Sequence, residues 1–556
     1  MTFRRSDMTQ PVDLVGEPGS GPRRTRRPQY VDLRAPCNHA CPAGEDIQAW
    51  LAMAQAGRYR EAWEILVRDN PLPAVHGRVC YHPCESHCNR AELDSAVGIH
   101  AIERFLGDRA NEQGWTYPVP RTARDARVLV VGAGPSGLSA AYHLQRLGYS
   151  VEIREAGPVA GGMLHFGIPA YRMPREELRQ EVARIEAMGV TVTLNHRVED
   201  LLQEKEEGAF DAVFLAIGAQ LSKRVEIPVR DATKVMDAVT LLHEVGEGEL
   251  PRLGRRVIVY GGGNSAMDAA RTARRLGADE TLIVYHRDRS RMSAHAFEAD
   301  EALAEGVKIK WLSSVKNIDG TAVTVETMRI DEQGDLQPTG DTETLDADAV
   351  ILALGQRSDT AFLRRIPGVE FFPDDTVVVA QNMMTGCPGI FAGGDMTPSE
   401  RTVAAAVGHG KIAARHIDRW LSGESMPSME SLPLVEFEML RVGLFTEAEQ
   451  TRQRELAATD RVGSFDEVLG SIDATQAQYE AQRCLSCGNC FECDQCYAAC
   501  PEDAIEKLGP GRRYRFDFDR CTGCAVCFEV CPCHAIEMLP EPTPGTAARK
   551  PSGDGQ

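Results

Sequence analysis

The placement of cysteine constrains this chain more than any other feature. Of its 17 cysteines, five lie between 37 and 88, one is Cys387, and eleven crowd into 484–533. Tight C-x2-C spacing, in a chain whose N-terminus MTFRRSDMTQ lacks the apolar core of an export signal, is the spacing of metal ligands rather than of disulfides. Two runs have the form C-x2-C-x2-C-x3-C-P. They are Cys490, Cys493, Cys496, Cys500 and Cys521, Cys524, Cys527, Cys531. In two-cluster ferredoxins the fourth cysteine of each run serves the other cluster. One [4Fe–4S] cluster is therefore expected on Cys490, Cys493, Cys496 and Cys531, and the other on Cys521, Cys524, Cys527 and Cys500. A zinc ribbon is the competing reading, but zinc sites have no need of eight cysteines in this register. The first run also begins two cysteines early, at Cys484 and Cys487, which the ferredoxin pattern leaves over.

The rest of the chain reads as several soluble domains. Its 556 residues allow three or four, and 43% hydrophobic with 26% charged residues is ordinary for a globular protein. A net charge of −20 argues against a nucleic-acid or anionic-membrane surface, and no run of 18 apolar residues occurs. The expectation is a cytoplasmic protein without membrane insertion. Residues 1–30 read as a flexible leader whose Arg23, Arg24, Arg26 and Arg27 are solvated. Residues 31–120 pair cysteines with helical patterns. Strands alternate with helices over 121–235, and again over 236–360, before the chain returns to the glycine-rich GIFAGGD and an alanine-rich helix over 361–425. A mixed connector (426–483), the ferredoxin-like module (484–540) and a disordered tail (541–556) complete the organisation.

Two segments have the logic of dinucleotide sites. RVLVVGAGPSGLSAA sets Gly132, Gly134 and Gly137 between a strand and a helix, so that backbone can approach a pyrophosphate at the helix N-terminus. Glu155 ends the next strand, where a carboxylate can accept ribose hydroxyls. RVIVYGGGNSAMDAA repeats the pattern with Gly261, Gly263, Asn264 and Ala266. Here the second strand ends in His286 and Arg287, with Arg291 close behind. Arginine there can pair with a 2′-phosphate that an acid would repel, which favours NADPH over NADH; the alternative is ordinary surface charge. The second site is nested before Gly394 and Asp395, so the pair implies a flavin, FAD, and a nicotinamide. Asp395 and Gly162 join the flavin candidates, a turn residue being the other reading of Asp395. No cysteine pair lies near the flavin fingerprint, which argues against a flavin–disulfide relay, and Cys387 reads as an ordinary partly buried thiol.

Together CPAGEDIQAWL, GRVC, AVGIHAIERF, VGAGPSGL, GGMLHFGIP, GGGNSAMDAA and IFAGGD make residues 31–425 resemble the small subunit of NADPH-dependent glutamate synthase and the N-terminal part of dihydropyrimidine dehydrogenase. The resemblance implies an α/β protein. A helical iron–sulfur domain would precede two Rossmann-like domains, the NAD(P)H domain inserted in the FAD domain, and a ferredoxin-like α+β module would follow. It also implies that electrons pass between a two-electron nicotinamide and one-electron clusters, with no catalytic side chain beyond the cofactors. The appended module looks more like flavoprotein subunits that accompany 2-oxoacid:ferredoxin oxidoreductases. The implied partner is thus a ferredoxin or the catalytic subunits of a larger complex; a glutamate synthase subunit and a non-catalytic electron carrier are the alternatives.

The family holds two N-terminal clusters, yet only Cys37, Cys41, Cys80, Cys84 and Cys88 stand here. The family's missing leading pair is written RCLSCG, and RCLSCG occurs at 483–488. The expectation is that Cys484 and Cys487 fold back to complete a cluster with Cys37 and Cys88. Cys41, Cys80 and Cys84 would hold the other, with Glu103, at the family's oxygen-ligand position, as fourth ligand. Unengaged thiols, and a Glu103 paired with Arg104 or Arg109, are the competing readings.

Overall fold

The computed structural model describes residues 24–118, 122–223, 227–230, 234–424 and 432–541. Two parallel sheets of five strands form its centre. In the first the order is Ile390–Ala392, Ala212–Leu215, Arg127–Val131, Ser150–Arg154, Thr191–Thr193. In the second it is Lys308–Lys310, Glu280–Val284, Arg256–Tyr260, Ala349–Leu352, Val235–Asp237. The central strands, VLVV at 128–131 and VIVY at 257–260, are buried along their length, as parallel strands covered on both faces must be. The chain leaves the first sheet after Leu215, builds the second, and returns at Ile390, which is an insertion topology. A four-stranded sheet carries the long hairpin of Ala322–Ile330 and Leu336–Asp346 against Ser313–Asp319. That hairpin has no counterpart in the sequence reading.

The N-terminal helices pack on the first sheet's domain through glycine contacts. In Val403–Ser422, a Cβ on Gly408 would lie 2.1 Å from the Pro42 carbonyl and one on Gly410 2.3 Å from that of Ser136. This one helix therefore touches both the Cys41 loop and the first nucleotide fingerprint, and Lys411 Nζ, also on it, donates to the carbonyls of Ala43 and Gly44 at 3.0 and 2.7 Å.

The leader expectation needs correction. Arg26–Tyr30 is a strand, antiparallel to Ile536–Pro540 of the C-terminal module. Arg24 pairs with Glu541 at 2.7 Å and donates to the Cys521 carbonyl at 2.8 Å, and Arg24 and Arg27 both stack over Phe518. Ile536–Pro540 would otherwise leave an open edge beside an aromatic surface, and these cationic side chains cover it. Arg23, like the tail from 542 onward, lies outside the described residues. Among the described residues no helix is long and apolar enough to cross a membrane.

Candidate functional site: a dinucleotide cavity and the cysteine clusters

A cavity of about 1180 Å³ opens between the two sheets at the C-terminal ends of their strands, the usual ligand crevice of such folds. It exceeds the several hundred Å³ that one drug-sized ligand needs. Gly132, Gly134, Glu155, Gly162, Gly394 and Asp395 line one side, and Gly261, Gly263, Asn264, His286 and Arg287 the other. The glycines differ in what they do. Gly132 has φ +103°, and a Cβ there would meet the Ala216 carbonyl oxygen at 2.4 Å. Gly137 lies behind the wall, where a Cβ would strike the Gly132 oxygen at 1.9 Å, so it serves strand–helix contact. Ala266 is likewise buried in its helix. Above Gly134 nothing lies within 4 Å.

That open space sits at the N-terminus of Pro135–Arg146, where backbone N–H groups and the helix dipole attract a pyrophosphate. Beside it the buried Ser136 Oγ has no hydrogen-bond partner among the described residues. These features fit a bound dinucleotide. Glu155 accepts from Ala133 N and Gly157 N, both at 2.7 Å, so backbone fixes the carboxylate while leaving lone pairs toward the cavity. Burial raises the Asp395 carboxyl above its ordinary value, with Arg401 opposing. Arg291 is placed differently from the expectation: it pairs with Asp288 at 2.6 Å and is not among the lining residues. No cysteine lines the cavity among the described residues.

The two nucleotide halves are tied together by buried charge. Arg172 donates to both carboxylate oxygens of Asp268, at 3.0 and 2.9 Å, and pairs with Glu298. Tyr81, next to Cys80, accepts from Asn264 Nδ2 at 2.6 Å and stacks on His295. The residue after an N-terminal cysteine therefore touches the second fingerprint.

The cysteines gather into four groups. Cys37, Cys88, Cys484 and Cys487 line one small apolar cavity with Leu51, Val97 and Ile99. Burial pushes the Cys484 thiol up to about 11 and that of Cys487 up to about 12, and each is affected by its neighbours' charge. Ser486 N and Asn89 Nδ2 point at these sulfurs, at 3.4 and 3.5 Å. Four thiols kept neutral in a dry pocket are a donor set that iron could deprotonate and bind. Cys41, Cys80, Cys84 and Glu103 form the second group; burial is the first cause raising each of the three thiols, and the charge of Glu103 adds to it for all of them. Glu103 is buried, and its pKa is far above the usual carboxylate range because of burial and of Glu45. Arg104 is engaged by Asp108 and Glu467, and Arg109 lies over Tyr59 and Phe105. The third group is Cys490, Cys493, Cys496 and Cys531. The fourth is Cys500, Cys521, Cys524 and Cys527, which line a further small cavity, with Cys524 exposed.

Sequence reasoning missed Glu45, Asn70 and His76. Asn70 Nδ2 donates to Glu45 Oε1 at 2.9 Å and Glu103 Oε1 at 2.8 Å, and His76 Nδ1 lies 3.7 Å from Glu103. Burial pushes Glu45 up to about 7 and His76 down to about 3. The one available signal was the spacing of Glu45, four residues after Cys41.

Comparison with known proteins agrees with this arrangement. The model described as pyridine nucleotide-disulphide oxidoreductase matches residues 126–410. The chain belongs to that family. A dihydropyrimidine dehydrogenase domain II, 4Fe-4S cluster model matches 31–115, and a 4Fe-4S dicluster domain model matches 489–535. The chain is 37% identical over 503 residues to the NADP(+)-dependent formate dehydrogenase subunit beta of Moorella thermoacetica, covering 82% of this chain and 71% of that protein. It is 35% identical to the NADPH-Fe(3+) oxidoreductase subunit beta of Geobacter sulfurreducens, covering 83% and 76%. With the glutamate synthase [NADPH] small chain of Escherichia coli it shares 33% identity, covering 69% and 88%. This member of the family is thus an oxidoreductase that joins a flavin- and nicotinamide-binding unit to iron–sulfur domains at both ends.

Proposed function

We propose that the chain is the NADPH-linked electron-transfer subunit of a larger redox complex, exchanging electrons with a partner through a line of four [4Fe–4S] clusters. Bound FAD and clusters would supply the change between two-electron nicotinamide chemistry and one-electron transfer. The protein's own residues bind and orient. Glycine backbone and helix N-termini hold the two pyrophosphates, Glu155 and Asp395 fix the flavin, and Arg287 with His286 selects the 2′-phosphate. Cys41, Cys80, Cys84 and Glu103 hold the cluster nearest the flavin; Cys37, Cys88, Cys484 and Cys487 hold the next. The observation that carries the reading is the meeting of Cys37 and Cys88 with Cys484 and Cys487 around one cavity, because Cys490 follows Cys487 by three residues and continues the line outward. The exposed Cys524 marks the end at which a partner docks. A formate dehydrogenase-type catalytic subunit is the partner class favoured by the first relative above, ahead of a free ferredoxin.

The double variant Cys484→Ser/Cys487→Ser, purified anaerobically, tests the line of clusters. It is expected to lose about a quarter of the bound iron and sulfide, one cluster in four, while NADPH still bleaches the flavin in stopped-flow absorbance. Unchanged iron would sink the shared cluster. Bleaching by NADH as fast as by NADPH would remove the assignment of Arg287.

A further inference from the structure

The two C-terminal cysteine runs close on nearly the same six residues, CPEDAI at 500–505 and CPCHAI at 531–536. Their backbone geometry matches as well. Ala504 N donates to Cys500 Sγ and Ala535 N donates to Cys531 Sγ, both at 3.3 Å. They differ at the third and fourth positions, Glu502 and Asp503 against Cys533 and His534. The first run has Glu502, exposed to solvent, and the second has Cys533, only 2% exposed. Cys533 lies outside the eight-cysteine register, yet its Sγ is 3.8 Å from Cys531 Sγ. Its carbonyl accepts from Gly488 N at 2.6 Å, which pins it beside the segment carrying Cys484 and Cys487. A cysteine sulfur bound to iron is a thiolate and can only accept, so the donor in this pair is the Cys533 S–H.

We propose that Cys533 is a positioning residue whose S–H donates to the Cys531 thiolate and raises the reduction potential of the inner C-terminal cluster. The proposal rests on the ligand sets given above: the inner cluster on Cys490, Cys493, Cys496 and Cys531, the outer on Cys500, Cys521, Cys524 and Cys527. Reduction adds negative charge that the cluster shares with its thiolates, and a hydrogen bond to a ligand sulfur stabilises that charge; hydrogen bonding to sulfur is among the factors that set these potentials. The outer cluster has the backbone donor on Cys500 and the Arg24 guanidinium, which donates to the Cys521 carbonyl, but no S–H donor. Glu502, in the place of Cys533, offers no donor, and its charge opposes reduction as far as solvent screening permits. Electron passage between the two clusters would break no bond and move no proton. The donor favours holding an electron on the inner cluster, the one next to Cys484 and Cys487 in the chain, relative to the same cluster without it.

The test is redox titration of the full-length protein, monitored by electron paramagnetic resonance, with iron analysis of wild type, Cys533→Ala and Cys533→Ser. In the alanine variant one titration wave should move to lower potential while the others stay, with iron content unchanged. Serine keeps a donor and should hold that wave near its native position. An alanine variant with no shift or an upward shift, or a serine variant that moves with alanine, overturns the proposal. Loss of iron in the alanine variant also overturns it, because Cys533 would then be a ligand. Wild-type protein without iron in its C-terminal module would instead break the ligand reading on which the proposal stands.

Discussion

Single residues set the protonation economy around the N-terminal clusters. Glu181 is fully buried and accepts from Ala74 N and Val75 N at 2.8 and 3.1 Å, at the start of the helix that runs into Cys80. Burial pushes its carboxyl up to about 8 from an ordinary 4.5. Folding therefore binds a proton over that interval. Stability is fully present below the unfolded value and falls as pH rises, by on the order of a few kcal/mol, until the carboxyl ionises near pH 8. Glu181→Gln should flatten this slope in thermal melts between pH 5 and 8, whatever it does to the height of the curve; an unaltered slope would place the proton elsewhere. At this scale the sequence is legible where chemistry is local. Gly132 and Gly134 are readable from spacing because a strand, a turn and a helix N-terminus lie within a few residues. Glu45, Asn70, His76 and Glu181 are not, because two loops and two different helices bring them together.

Elements show the same division. The parallel strands announce themselves as apolar runs, and the cysteine half-motifs carry their own turns. Arg26–Tyr30 gives no such signal: RRPQY is polar, and it is a strand only because Ile536–Pro540 offers an edge over 500 residues away in sequence. Deleting residues 1–30 should therefore speed hydrogen exchange of the amides in 536–540 by roughly tenfold or more, since the net loss of several strand hydrogen bonds exceeds about 1.4 kcal/mol. The Ser150–Arg154 amides provide the internal control. Equal exchange in both chains would return the strand to the status of a leader. The segment 432–483 is a similar case. It reads as a connector, but Ala474–Gln482 packs on the N-terminal helices, Glu480 Oε1 accepts from Gly98 N at 2.7 Å, and Arg483 is buried against Asp94 and Ser95.

Across the whole molecule the C-terminal quarter is a wall of the N-terminal domain. Val435, Leu485 and Cys487 form one apolar cluster with Ala35, against which Cys37 packs. Gln48 Nε2 donates to the Cys487 carbonyl at 2.6 Å. A chain ended after residue 424 should keep both nucleotide domains, as judged by flavin retention and their resistance to limited proteolysis. Its residues 31–115 should be cleaved readily, because burying Arg90 without the Arg483 and Thr446 carbonyls it bonds costs more than the small helical core returns. Survival of that region as a protease-resistant fragment would show that the tail is dispensable to it. Such long-range closure has a temporal side. Gln48 and Cys487 are separated by 439 residues, and at roughly 5–20 residues per second a ribosome needs about 20–90 s to make them all. The pocket beside Cys37 cannot be closed during that interval, so on the proposed ligand set cluster insertion there waits until Cys487 has been made, and a chain that stalls early leaves its N-terminal thiols bare to oxygen.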